Sequence, residues 1–263
     1  MDGAVKMRGS IWFIGLTVVT VGWYGFFGTL VVIDAGVSLL EAVHLAGAIL
    51  CTGIVAAGLL PQLVAPARNV AGFQQACMAG MALLVAAAIF GDPDNQGGQA
   101  GFFDPVYLAF LLPLVILAVL HPARRQLLRA GDIRPLLLLL AAVVAIPLAI
   151  YGIDQGLIQR NSWPPAADPH HNSHWFMMAE LAFAIPLVAT VAGLGARGWR
   201  LPAWTASVAL AVFGAVSALS PDAPSSVGVG WGLLAVLAAA AVAAVPLRDL
   251  RRGHLQAART PAR

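Results

Sequence analysis

The sequence predicts an all-α integral membrane protein of eight transmembrane helices with both termini on the inner side, and three observations predict it. First, 60% of the 263 residues are hydrophobic and only 10% are charged, whereas a soluble domain has about 45–50% apolar and about 25% charged residues. Second, the chain divides into apolar segments of the length that crosses about 30 Å of hydrocarbon at about 1.5 Å per residue. Third, the basic residues alternate with those segments in a one-sided way. This balance excludes a soluble enzyme, a disulfide scaffold, a nucleic-acid-binding domain and a disordered tail; the lipid bilayer is the expected surrounding.

The apolar segments are 11–33, 39–60, 70–90, 105–120, 135–153, 174–196, 202–220 and 230–247. The first is long, lacks a small-residue cleavage site and is followed by further spans, so it reads as a retained helix. Ser38 with Glu41 three residues later is a capping-box pattern opening helix 2. Gln74 and Gln75, near the inner end of helix 3, are placed to bridge helices. Asp104-Pro105 puts an N-cap before a first-turn proline at helix 4, the shortest segment, and Asp168-Pro169 does the same for helix 6. Tyr151, Asp154 and Gln155 end helix 5 at the outer face. Ser225 or Ser226 caps helix 8. Four helices followed by four more in the same sense allow two four-helix halves within one polytopic domain spanning 1–263.

Orientation follows from counting. With eight spans and an inner N-terminus, fourteen of the fifteen Lys and Arg residues are inside, and Arg160 alone is outside. The outer connections instead carry Asp34, Asp92, Asp94, Asp104, Asp154, Asp168 and Asp222. A bacterial-type inner (cytoplasmic) membrane with cytoplasmic termini is the expected location. Cys51 and Cys77 both lie in apolar segments and read as small buried hydrophobes and not as a disulfide. Gly15, Gly22, Gly25 and Gly28 in helix 1 read as tight-packing surface.

Ionisable residues at membrane depth are costly and therefore informative. The densest cluster is the run from Asp168 to Trp175, with His170, His171 and His174. His170 and His174 are four apart on one helical face, and His171 is three from His174; neutral imidazole is a common metal ligand. Met178 extends the stripe one turn deeper, suiting a soft metal or a haem. His44 lies six residues past Ser38, as His174 lies six past Asp168, so both sit about 9 Å below their helix starts on parallel helices. Two histidines at one depth can share one centre. Glu41, one turn before His44, either orients its ring or serves only the cap. Tyr151, Asp154 and Gln155 either bond a ligand or an imidazole or merely terminate helix 5. Glu180, two turns deeper than His174, reads equally as a proton relay or as a neutral interhelical hydrogen bond. His121, beside Pro122 and Arg124, reads as a solvated helix end.

The expected cofactor is haem b or a transition metal (copper, zinc or iron), held by His44 and His174 with His170 or His171 assisting, in a redox-related protein with a membrane redox or complex partner. Eight helices with histidines high in helices 2 and 6 resemble haem A synthase in architecture. That family carries further histidines in helices 4 and 8, whereas this chain has only His121 at the end of helix 4 and none in helix 8, so membership is not inferred. A second reading is a non-catalytic subunit or transporter, for which Pro113, Pro147 and Pro186 supply breaks at mid-helix. A third is a zinc-dependent lipid hydrolase, similar to alkaline ceramidases in its several histidines, with Asp168 or Glu180 as base.

Overall fold

The computed structural model describes residues 2–34, 42–90, 105–161 and 174–259. Eight α-helices follow one another among them: α1 (Asp2–Asp34), α2 (Ala42–Leu59), α3 (Val70–Phe90), α4 (Pro105–Leu120), α5 (Pro135–Asn161), α6 (His174–Gly193), α7 (Arg200–Leu219) and α8 (Gly228–Arg259). No strand occurs among the described residues. Seven of the helices are long and apolar enough to cross a membrane, and Tyr107–Leu120 in α4 is a shorter apolar helix. An all-helical membrane-type bundle is therefore what the chain forms. Ser38, Glu41, Asp168, His170 and His171 lie outside the described residues.

Helix ends differ from the apolar boundaries in a systematic way. α1 begins at Asp2, α5 continues to Asn161 and α8 runs to Arg259. Apolar patterning marks where a helix can touch hydrocarbon; backbone hydrogen bonding continues past that limit as long as no breaker intervenes. Tyr151, Asp154 and Gln155 consequently sit within α5 and do not end it.

Packing places α6 at the centre, against α2, α3, α5 and α7, while α1 packs on α2 and α4, and α8 packs on α7 and α5. Within their apolar windows α3 and α6 are 67% buried and α8 only 17%, which assigns the first two to the bundle interior and leaves α8 facing outward. Helices from both ends of the chain share one core, in which Phe73, Leu117, Leu181, Ile185 and Leu210 are buried together. Without a hydrophobic drive between helices in lipid, close backbone approach matters. It occurs where Gly58 of α2 meets the Gly72 carbonyl of α3, and where Gly214 of α7 meets Gly232 of α8. In α1 only Gly28 has a close neighbour, Thr52; around Gly15, Gly22 and Gly25 there is open space. The expected packing surface of helix 1 is thus reduced to one contact, because the other three glycines fall on its outward side.

Polar side chains inside the bundle bond to backbone. Thr17 and Thr20 donate to the carbonyls of Phe13 and Leu16 one turn back. Gln75 donates to the Ile54 carbonyl of α2 at 2.6 Å and so bridges helices as expected, whereas Gln74 donates at 2.7 Å to the Leu127 carbonyl in the α4–α5 connection. Cys51 and Cys77 are free thiols.

The two ends of the bundle are chemically distinct. One end gathers the turns after α2, α4 and α6: Ala71 N–H donates to the Arg197 carbonyl, and Gly131 and Arg134 donate to the Leu194 and Gly193 carbonyls. Arg134 there bonds Asp249 at 2.9 Å and stacks over Trp199. The opposite end holds the starts of α2 and α6, the last turns of α5 and the α7–α8 turn.

Candidate functional site: a histidine pair braced by Ser225

His44 in the first turn of α2 and His174 at the start of α6 are both buried, and their rings lie 5.0 Å apart centre to centre, tilted by 45°. The two histidines expected at a common depth lie side by side. The local cause is one turn deeper. Gly47 has no side chain, and the Met178 thioether occupies the space its Cβ would take. A side chain at position 47 would hold α2 and α6 apart. Met178 is fully buried in this contact, so its observed role is packing beneath the pair. Trp175 presents its edge to His44 at 6.2 Å.

A third group reaches the pair from a distant part of the chain. The Ser225 hydroxyl lies 2.7 Å from His44 Nε2. Ser225 is in the short α7–α8 turn with φ +61°, and no other non-glycine among the described residues has a positive φ. Three bonds hold that turn in place. Tyr151 Oη donates to the Ser225 carbonyl at 2.8 Å, the Ser225 hydroxyl donates to Gln155 Oε1, and Ser226 Oγ donates to the Ser217 carbonyl. Ser226 Oγ also accepts the Gly228 N–H at 3.1 Å. Of the two serines expected as caps, Ser226 therefore caps α8 and Ser225 turns inward to His44.

Gln155 is buried, whereas Asp154 is exposed and takes a long 3.5 Å contact from Gln155 Nε2. Tyr151, Gln155 and Gln159 form an i, i+4, i+8 stripe on the inner face of α5. Gln159 Oε1 accepts the Phe176 N–H at 3.2 Å, which satisfies one of the four N–H groups left over at the start of α6. Sequence reasoning named Tyr151 and Gln155 and missed Gln159, the third member of the stripe; its spacing was the available signal. Nothing local in the sequence marked Ser225, because its role depends on a contact across the fold.

Glu180 is separate from this pair. It lies two turns deeper on α6, half-buried, within electrostatic range of Tyr24 of α1 and Cys51 of α2. The Tyr24 hydroxyl is itself engaged with the Phe110 carbonyl at 3.0 Å.

His121, at the arginine-bearing end, is not solvated. Its ring is 1% exposed, edge-on to Phe13 and beside Phe73. Nδ1 accepts the Ala123 N–H at 3.0 Å, so Nε2 carries the proton and donates to Gln62 Oε1 at 3.2 Å. Gln62 in turn donates to the Gly58 and Asn69 carbonyls. Burial lowers the His121 pKa to about 4. The Pro122 turn folds the ring under the bundle, which overturns its reading as a free helix end.

No family model, curated protein or solved structure matches the chain.

The arrangement thus offers two imidazoles in contact, one of them hydrogen-bonded to a hydroxyl. Among the described residues no three His, Cys, Asp or Glu side chains converge. His44 and His174 are the two expected metal ligands that the fold brings together.

Proposed function

We propose that this protein is a multi-pass membrane protein that binds a transition-metal ion between His44 and His174, in a redox-related role beside a membrane partner. The 5.0 Å separation of the two rings carries this reading. An ion about 2.0–2.1 Å from one nitrogen of each ring stands roughly 3.2 Å from each ring centre, and tetrahedral geometry then separates the centres by about 5.2 Å. Histidines on opposite faces of a haem would hold their ring centres roughly 6.4 Å apart, by the same bond lengths. The distance therefore favours an ion, copper, zinc or iron, over haem b. Imidazole suits all three, and a redox role needs copper or iron. A third ligand comes from His170 or His171 in this reading, on sequence spacing alone.

The site belongs to the outer side of a bacterial-type cytoplasmic membrane, with both termini in the cytoplasm. The support is the distribution of arginines, which puts the basic residues at the end of the bundle away from His44.

Elemental analysis and a visible spectrum of the full chain in detergent test the proposal, with H44A and H174A measured separately. One ion per chain, lost in either variant, is the expected result. A metal-free, colourless protein after reconstitution with copper, zinc, iron and haem would overturn it and leave a non-catalytic subunit or transporter. A Soret band in place of a bound ion would restore haem.

A further inference from the structure

We propose that Ser225 is a positioning residue that fixes the tautomer of His44, and that the buried Gln155 behind it sets the direction of the hydrogen-bond chain. This extends the metal-site reading above, and its tautomer arm stands independently of it.

The direction follows from one end. The buried Gln155 amide turns its nitrogen toward Asp154 and away from the Ser225 turn. Gln155 then presents its carbonyl oxygen inward, where it accepts the Ser225 hydroxyl proton. A hydroxyl has one proton. With that proton committed to Gln155, the 2.7 Å contact between Ser225 and His44 has to be made by the N–H of His44 Nε2. Nδ1 is left with the lone pair, which is the form a metal ligand requires. A ligating histidine generally donates its other N–H to an acceptor that fixes tautomer and ring orientation; Ser225 is that acceptor here.

The backbone supports the assignment. A serine at φ +61° is held against its own preference. Two bonds through the side chain and one to the carbonyl, from Tyr151, oppose that strain. Were the hydroxyl only a cap, the neighbouring Ser226 already serves α8.

The test is nitrogen-15 NMR of histidine-labelled, metal-free full-length protein in lipid, with the His44 signals assigned by their loss in H44Q. The expected wild-type state is Nε2–H with Nδ1 unprotonated. Ser225→Gly, which tolerates the positive φ, should abolish that tautomer preference and weaken zinc binding by about 10–100-fold. A wild-type Nδ1–H tautomer would overturn the proposal, since the Ser225 hydroxyl would then donate to the imidazole as a nucleophile does to its base; labelling of Ser225 by a fluorophosphonate would mark that outcome. An unchanged tautomer in S225G would overturn it equally. If the tautomer behaves as expected and zinc does not bind the wild type, the positioning role stands and the metal reading alone fails.

Discussion

His44 and Ser225 are 181 positions apart in the chain and 2.7 Å apart in the fold, and the contact is made by a serine in left-handed backbone conformation. Side chain and backbone therefore pull on stability in opposite directions at one residue. Removing the hydroxyl takes the Ser225 donor from the buried Gln155 Oε1 and one bond from His44, a loss of about 1–3 kcal/mol. Removing the Cβ relieves strain of about 1 kcal/mol. Ser225→Gly should consequently be more stable than Ser225→Ala by about 1 kcal/mol, read as a higher melting temperature in the same detergent. Equal melting of the two variants would show that the turn carries no strain.

The approach of α2 to α6 depends on Gly47. Its missing side chain admits the Met178 thioether, and a fully buried methionine has little room to withdraw. Gly47→Ala should cost about 1–3 kcal/mol by overpacking and should weaken metal binding by widening the His44–His174 gap. Met178→Ala alone should also destabilise, through a cavity. Combined, the two should cost less than their sum, because the new methyl fills part of the space the thioether leaves. Strict additivity in the cycle would separate Gly47 from Met178.

Much of this arrangement was legible in the sequence. Apolar length predicted the helices, because lipid imposes it on each segment separately. The His44–His174 meeting was legible because each lies six residues past a residue that the sequence offers as a cap, Ser38 and Asp168. Ser225 was not, since its partner lies 181 positions away and either of two adjacent serines before a helix resembles a cap. His121 misled for a related reason: proline and arginine beside it are surface signals, yet one hydrogen bond to Ala123 N–H is enough to turn the ring inward. Helix ends beyond the hydrocarbon were invisible to a reading based on hydropathy.

His121 should make stability depend on pH. Its folded-state pKa, about 4, lies below the ordinary value of 6.5, so the unfolded chain binds the proton more readily. The stabilisation is then complete above about pH 6.5 and is lost as pH falls through about 4. At roughly 1.4 kcal/mol per pKa unit, the loss reaches about 3 kcal/mol by pH 4. His121→Gln, which keeps a donor and cannot titrate, should flatten that part of the profile. Melting curves of the two proteins from pH 8 to pH 4 check this; parallel decline would mean that the imidazole is not held neutral.

Arg134 makes two different bonds at the arginine-bearing end, and they should be separable. Its guanidinium bonds Asp249 of α8 at 2.9 Å and lies 4.6 Å over the Trp199 ring before α7. The ion pair is partly open to solvent, with side chains 31% and 24% exposed, so Asp249→Asn should cost only about 0.2–1 kcal/mol and its effect should shrink in high salt. Arg134→Ala removes the ring contact as well, which adds about 0.5–1 kcal/mol that salt does not screen in the same way. Arg134→Lys should fall between them, since an ammonium keeps the charge and lacks the planar face. Melting at low and high salt tests the order: Asp249→Asn mildest, Arg134→Ala most severe, with the gap between them surviving added salt. A gap that closes in high salt would assign the whole effect to the ion pair and leave Trp199 without a part in holding α5, α7 and α8 together.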